Sequence, residues 1–203
     1  YTASGYFLKT SEKTRLPYSN VICDVHGGFV TTNNGLAFSY LKNSRLNRIT
    51  DFVQDEVVAP SSERLYALWQ NKWANLYRCN YYVKPKITMR KFVSKEIEAT
   101  IYEYVCHEGK FKVTEIDVEE IKDEIKLVSC ADISLGDEKT DLILSKISGD
   151  CVYFTNLRTG QNCAFRAGGG IAANNKAKFE SRIFKFPFDT KSSEFKIGAT
   201  LEI

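Results

Sequence analysis

Proline and glycine are scarce in this chain, at 4 and 12 of 203 residues. With 43% hydrophobic residues, that scarcity argues against disorder over most of the length, because enough apolar surface is present to offset the entropy of ordering. No run of about 18 apolar residues occurs, so no stretch reads as a membrane-spanning helix. No secretory apolar region stands at the start. No Asn-X-Ser/Thr sequon occurs, which argues against a glycosylated ectodomain. An EF-hand loop, a P-loop and a His-Glu-x-x-His zinc motif are all missing. Histidine is limited to two positions, His26 and His107, which leaves little material for imidazole chemistry.

What is present is aromatic and mixed in charge. Aromatics make up 13%, with 13 Phe and 11 Tyr, and charged residues 26%. The net charge of +3 names no partner, but its distribution is uneven. Residues 1–114 hold 16 bases against 10 acids, residues 115–141 hold 3 against 10, and residues 142–203 hold 9 against 5. An acidic segment between basic flanks reads first as complementarity within one fold. Six cysteines, at 23, 79, 106, 130, 151 and 163, suit three disulfides with 15 connectivities. Such a framework would require an oxidising compartment. Six free thiols suit the cytosol, and extracellular and intracellular locations stay equally open. Cys151 and Cys163 bracket a candidate hairpin and are the pair expected to bridge. The chain opens on Tyr1 rather than Met, the expectation for a fragment or a chain trimmed upstream.

The apolar spacing points to strands at both ends. Residues 20–25 suit a strand, and Asn33-Asn34-Gly35 between apolar runs signals a hairpin, since both turn residues must accept positive φ. Residues 45–78 read as a helical hairpin. Ile49, Phe52, Val53 and Val57 repeat at helical spacing, Pro60 ends that helix, and Ser61 or Ser62 caps the next. Leu65, Leu68, Trp69, Trp73, Leu76 and Tyr77 then form one stripe, with both Trp packed on a sheet. After residue 79 the period becomes 2. Ile97, Ala99 and Ile101 alternate with Glu98, Thr100 and Tyr102, and residues 110–118 alternate likewise. Residues 142–147, 151–155, 162–166 and 195–203 read as further strands. The expected fold class is α+β: one antiparallel-sheet-rich domain over 1–203, its helical hairpin (about 45–78) packed on one face, with a subdivision near 79–95 as the variant.

Four constellations could carry chemistry. Each histidine sits beside a cysteine, in Cys23-Asp24-Val25-His26 and Cys106-His107, and four such N/S ligands would suit tetrahedral zinc. Adjacent Cys106 and His107 point to opposite faces if they lie on a strand, which weakens that set. Gly149-Asp150-Cys151 resembles the nucleophile turn of chymotrypsin-like proteases, which implies Cys151 as nucleophile and His26 as base. The glycine expected after the nucleophile is Val152 here. Gly168-Gly169-Gly170-Ile171-Ala172 is similar to the glycine loop of ADP-ribose-binding macrodomains, which implies a phosphate cradle of backbone amides. Only 33 residues follow Gly170, and a plain turn between strands is the simpler reading. Residues 81–95 combine Tyr81, Tyr82 and Phe92 with Lys84, Lys86, Arg90 and Lys91. Those bases could neutralise phosphates while the rings stack nucleobases.

Three function classes follow. The first is a non-enzymatic binding or structural protein, an interaction module compatible with a secreted or viral source, whose partner is another protein or a second copy of itself. The second is a nucleic-acid-binding protein using 81–95, and the third a cysteine hydrolase using Cys151 and His26. None of them calls for a cofactor.

Overall fold

The computed structural model describes residues 5, 8–10, 14–52, 62–106, 111–121, 125–138, 142–148, 151–166, 178–185 and 195–202. Every regular element among the described residues is a strand. In chain order they are β1 (Leu8–Thr10), β2 (Ser19–Cys23), β3 (Gly27–Thr32), β4 (Ala37–Leu41), β5 (Arg48–Thr50) and β6 (Glu63–Trp69). There follow β7 (Lys72–Asn75), β8 (Asn80–Lys84), β9 (Ile87–Val93), β10 (Ile97–Cys106), β11 (Phe111–Ile121) and β12 (Lys126–Ala131). The last are β13 (Ile133–Gly136), β14 (Ile143–Ser148), β15 (Cys151–Asn156), β16 (Asn162–Arg166), β17 (Lys178–Lys185) and β18 (Phe195–Glu202).

These strands pair into four antiparallel sheets. The first runs β1-β8-β9-β10-β11, the second β17-β18-β12-β6-β7, the third β13-β5-β4-β3-β2 and the fourth β14-β15-β16. The main core lies between the first two. Ile97, Ala99 and Ile101 of β10 meet Leu65, Ala67 and Trp69 of β6 and Leu127 of β12, with Phe92, Ile116 and Val118 packed at the margin. The alternation of β10 sends those three residues inward while Glu98, Tyr102 and Tyr104 stay partly exposed. A smaller cluster of Val30, Leu36, Phe38 and Tyr40 serves the third sheet, with Phe52 stacked on Phe38 at 4.0 Å. Leu135 of β13 packs against Val152 and Phe154 of the fourth sheet.

The Asn33-Asn34-Gly35 turn joins β3 and β4. Gly35 has φ +85° and donates its N–H to the Thr32 carbonyl at 3.1 Å. A side chain there would also crowd Tyr77, whose Cβ lies 3.2 Å from where a Cβ would sit.

The helical hairpin expected at 45–78 is not formed. Residues 48–50 are β5, and 63–69 and 72–75 are the antiparallel pair β6 and β7; Val53, Val57, Pro60 and Ser61 lie outside the described residues. The α+β class is therefore corrected to all-β for the described residues. The cause is burial on both faces of β6. Leu65, Ala67 and Trp69 enter the main core, while Tyr66 packs on the other side with Val128, Cys130 and Trp73. A strand covered on both sides loses its polar phase, and its apolar run then imitates a helical stripe. Trp69 and Trp73 consequently lie on opposite faces of the hairpin. Trp73 meets Tyr66 edge-on, with ring centroids 5.8 Å apart. The connecting Gln70 and Asn71 both have positive φ, 45° and 61°, as a two-residue hairpin turn requires.

The expected Cys151–Cys163 bridge is also absent, and none of the six cysteines is disulfide-bonded. The register sets Cys163 opposite Phe154, and Cys151 opposite Arg166. Three residues of strand separate the two cysteines along the sheet, about 10 Å at the usual rise, beyond the reach of a disulfide.

Candidate functional site

The two faces of the first sheet differ sharply in chemistry. Residues directly opposite one another across an antiparallel pair share a face, so the register defines each row. On the outer face Tyr82, Met89, Tyr102 and Glu115 form one row across β8 to β11. Lys84, Ile87, Tyr104 and Val113 form the next. Beyond them lie Cys106 and Phe111, with Phe111 65% exposed. On the other flank are Asn80, Lys91, Thr100 and Asp117. The three tyrosines are half-buried. The Tyr104 hydroxyl reaches Glu115 Oε2 at 3.4 Å. Partial burial, with that carboxylate beside it, holds the Tyr104 phenol above its ordinary pKa. Lys91 lies 2.6 Å from Glu98 and 3.4 Å from Glu119. Glu119 also accepts a hydrogen bond from Thr100 at 2.7 Å, next to a bulge where the β10–β11 register shifts.

Behind this face the inner side carries a buried ion cluster. Arg90 is fully buried and sits between the rings of Tyr77 and Tyr81, at 4.7 and 4.6 Å from their centroids. Its Nε faces Glu103 Oε2 at 3.3 Å, and its other nitrogens donate to the Tyr77 carbonyl at 3.1 Å, the Thr32 carbonyl at 3.0 Å and the Thr31 hydroxyl. Lys112 Nζ lies 3.1 Å from Glu103 and also pairs with Glu63, while resting 4.5 Å over the Phe29 ring. Glu63 further accepts from Ser39 at 2.5 Å and Thr50 at 2.9 Å. Two acids and two bases thus tie β9, β10 and β11 to β6 and to the third sheet. Burial pushes the Glu103 carboxyl up, but Lys112 and Arg90, with hydrogen bonds from Lys112 and Tyr77, hold it below the usual carboxylate value. Burial also lowers the Lys112 ammonium, and Glu63 and Glu103 together more than reverse this.

The sequence-derived candidates fall in several places. Tyr81 and Arg90 are cross-strand partners turned into the core, and Phe92 packs against the main cluster. Tyr82, Lys84 and Lys91 are on the outer face, and Lys86 is exposed in the β8–β9 turn with φ 67°. Strand alternation thus divides the basic-aromatic segment between two faces. His26 is exposed in the β2–β3 turn, where Asp24 Oδ1 accepts its backbone N–H at 2.7 Å. A shallow pocket of about 290 Å³, open mouth included, lies there, lined by Asp24, His26, Tyr40, Phe111 and Lys112 among others. Cys151 opens β15 in the fourth sheet and is not among those lining residues. Cys23 ends β2 and is exposed, and Cys106 ends β10. No group of three or more His, Cys, Asp or Glu among the described residues is placed to hold a metal. His107, Gly149, Asp150, Gly168, Gly169 and Gly170 lie outside the described residues.

Sequence reading missed Glu63, Glu103 and Lys112. A signal existed for Glu103, which falls in phase with Ile97, Ala99 and Ile101 and so marks a charge at a buried position of an alternating strand. Lys112 carries the same mark against Ile116 and Val118.

Residues 4–165 match the family model described as Glycosyl hydrolase 94, supersandwich domain. No curated protein matches the chain.

Proposed function

This chain belongs to the glycosyl hydrolase 94 supersandwich-domain family, and from that premise we propose that it acts as a non-catalytic binding module, presenting the outer face of the first sheet to a partner. The observation that carries this reading is the commitment of the interior acids. Cleavage of a glycosidic bond by the common route uses two carboxyl groups flanking the bond. Glu63 and Glu103 converge on one ammonium, but both are enclosed and neutralised by Lys112 and Arg90, with side chains 12% and 1% exposed. They hold three sheets together instead of facing a substrate. Tyr82, Tyr102 and Tyr104, by contrast, share the half-buried outer face of the first sheet.

The charge pattern favours this reading over nucleic-acid binding. Arg90 is buried, and Lys91 is paired with two glutamates, so the bases of 81–95 do not add up to one positive field. The test is a turnover assay of the purified chain on aryl glycosides and neutral oligosaccharides. No product is expected. Turnover that disappears in Glu115→Gln or Asp117→Asn, with the fold intact by circular dichroism, would overturn the reading.

A further inference from the structure

We infer that β2 is a docking edge for a second copy of this chain: two β2 strands pair antiparallel about a two-fold axis at Val21 and join the third sheets of both copies into one. The surface lies on the third sheet, so the inference stands apart from the module reading.

The backbone of β2 is set up for a further strand. β2 ends the order of the third sheet and, among the described residues, pairs with β3 alone. The phase of that pairing is fixed at both ends. Asp24 donates its N–H to the Gly27 carbonyl at 2.9 Å, and the Tyr18 carbonyl accepts from Asn33 at 3.3 Å. In an antiparallel ladder every second residue bonds the same neighbour. Tyr18, Asn20, Ile22 and Asp24 therefore turn their backbone groups toward β3, and Val21 and Cys23 turn theirs away from it.

The side chains leave that edge unguarded. Edge strands are ordinarily protected by charge, proline, brevity or cover. Among the described residues, the edge strands β1, β7, β11, β14, β16 and β17 each carry a Lys or Arg, and only β2 and β13 carry no charge. β13 is covered, with Ser134 and Leu135 buried. In β2, by contrast, Val21 is 55% exposed and Cys23 is exposed too.

Two features select a second copy over a foreign strand. The first is the apolar pattern. Leu16 and Tyr18 before the strand and Val25 after it are all exposed. With Val21 facing Val21, Cys23 stands opposite Ser19 of the second copy, and Val25 falls opposite Pro17, beside Leu16 and Tyr18 of that copy. The exposed apolar groups at the two ends are thus brought together by the same axis. The second is charge. No charged residue occurs from Leu16 to Cys23, with Arg15 just before and Asp24 just after. Antiparallel pairing sets the basic end of one copy beside the acidic end of the other. The contact is isologous and uses up both edges, so assembly stops at two.

The experiment is sedimentation equilibrium of the full chain, with amide exchange read residue by residue by NMR. A monomer–dimer equilibrium with Kd on the order of 10–100 μM is expected for so short a strand. As the dimer forms, the Val21 and Cys23 amides should slow, while those of Asn20 and Ile22, already bonded to β3, keep their rates. Val21→Pro removes an edge donor without touching the β3 ladder, and Val21→Lys supplies a guarding charge. Each should weaken association by about tenfold or more, whereas Leu144→Lys on the fourth sheet should leave it unchanged. Should a Val21 variant fail to fold by circular dichroism, the exchange pattern of the unaltered chain decides the matter. A monomer at the highest soluble concentration, association that both Val21 variants retain, species that grow past the dimer, or a dimer whose Val21 and Cys23 amides exchange at the monomer rate would each overturn the inference. Slowing of those amides in a monomeric chain by an added alternating valine–threonine peptide would assign the edge to a foreign strand and overturn it likewise.

Discussion

At the scale of single residues, the most consequential group is Glu103, a carboxylate in the interior. Removing one member of a buried, hydrogen-bonded ion pair leaves an uncompensated charge, at a cost of about 3–5 kcal/mol. Arg90→Leu is expected to lower stability by that amount, measured from urea unfolding midpoints at neutral pH. The same carboxylate sets an acid limb. Its folded pKa lies below its unfolded value, so its contribution is complete above about pH 4.3 and is lost as pH falls through the folded value. Glu103→Gln should therefore differ most from the unaltered protein at neutral pH, with the two melting temperatures converging toward pH 2. Lys112 has the opposite sign: raised in the fold, it stabilises below its unfolded value of about 10.4 and loses that contribution only as pH rises through the folded one. The thiols give a separate check. Burial raises Cys163 to about 12 and Cys79 to about 11, and Cys130 is 2% exposed, while Cys23 is exposed. Iodoacetamide at pH 8 should label Cys23 well before these three, and titration in denaturant without reductant should count six thiols.

At the scale of elements, the β6–β7 hairpin shows where local pattern and tertiary burial part. Its turn needs positive φ at both Gln70 and Asn71. A β-branched residue in that backbone region costs about 1–2 kcal/mol, so Asn71→Val should destabilise by that amount in urea unfolding. Leu65, enclosed by the main core, should cost about 2–5 kcal/mol when cut to alanine. The Asn71→Val outcome distinguishes a strand pair from a helix, in which that substitution would be nearly neutral. The neighbouring β10–β11 pair was readable from its alternation, since one of its faces is wet. The β6 strand was not, since neither face is. The basic-aromatic run 81–95 was legible as chemistry but not as geometry: alternation places Tyr82 and Lys84 outside and Tyr81 and Arg90 inside, which turns one apparent patch into half an outer face and half an ion cluster.

At the scale of the whole molecule, most pairings among the described residues join consecutive strands, and a few distant ones tie these hairpins together. β12 lies between β6 and β18, and β1 pairs with β8. Non-local antiparallel pairing is slow, and refolding from urea is expected in milliseconds to seconds, followed by tyrosine and tryptophan fluorescence. The matched family span ends at residue 165, yet β18 hydrogen-bonds along all of β12 from Lys126 to Ala131. A chain ending at residue 166 would leave β12 as an unpaired edge, and light scattering should show it associating further than the full chain does.

The order of residues alone determined that strands prevail after residue 79, that a turn falls at Asn33-Asn34-Gly35, and that rings and bases concentrate in 81–95. These are properties of spacing and local backbone preference, which act over a few neighbours. Tertiary structure decided the all-β class, the opposite placement of Trp69 and Trp73, and the meeting of Glu63, Lys112, Glu103 and Arg90. The class and the ion cluster depend on segments distant in sequence, since β6 pairs with β12 and Lys112 meets Glu63 across 49 residues, beyond the reach of any local pattern.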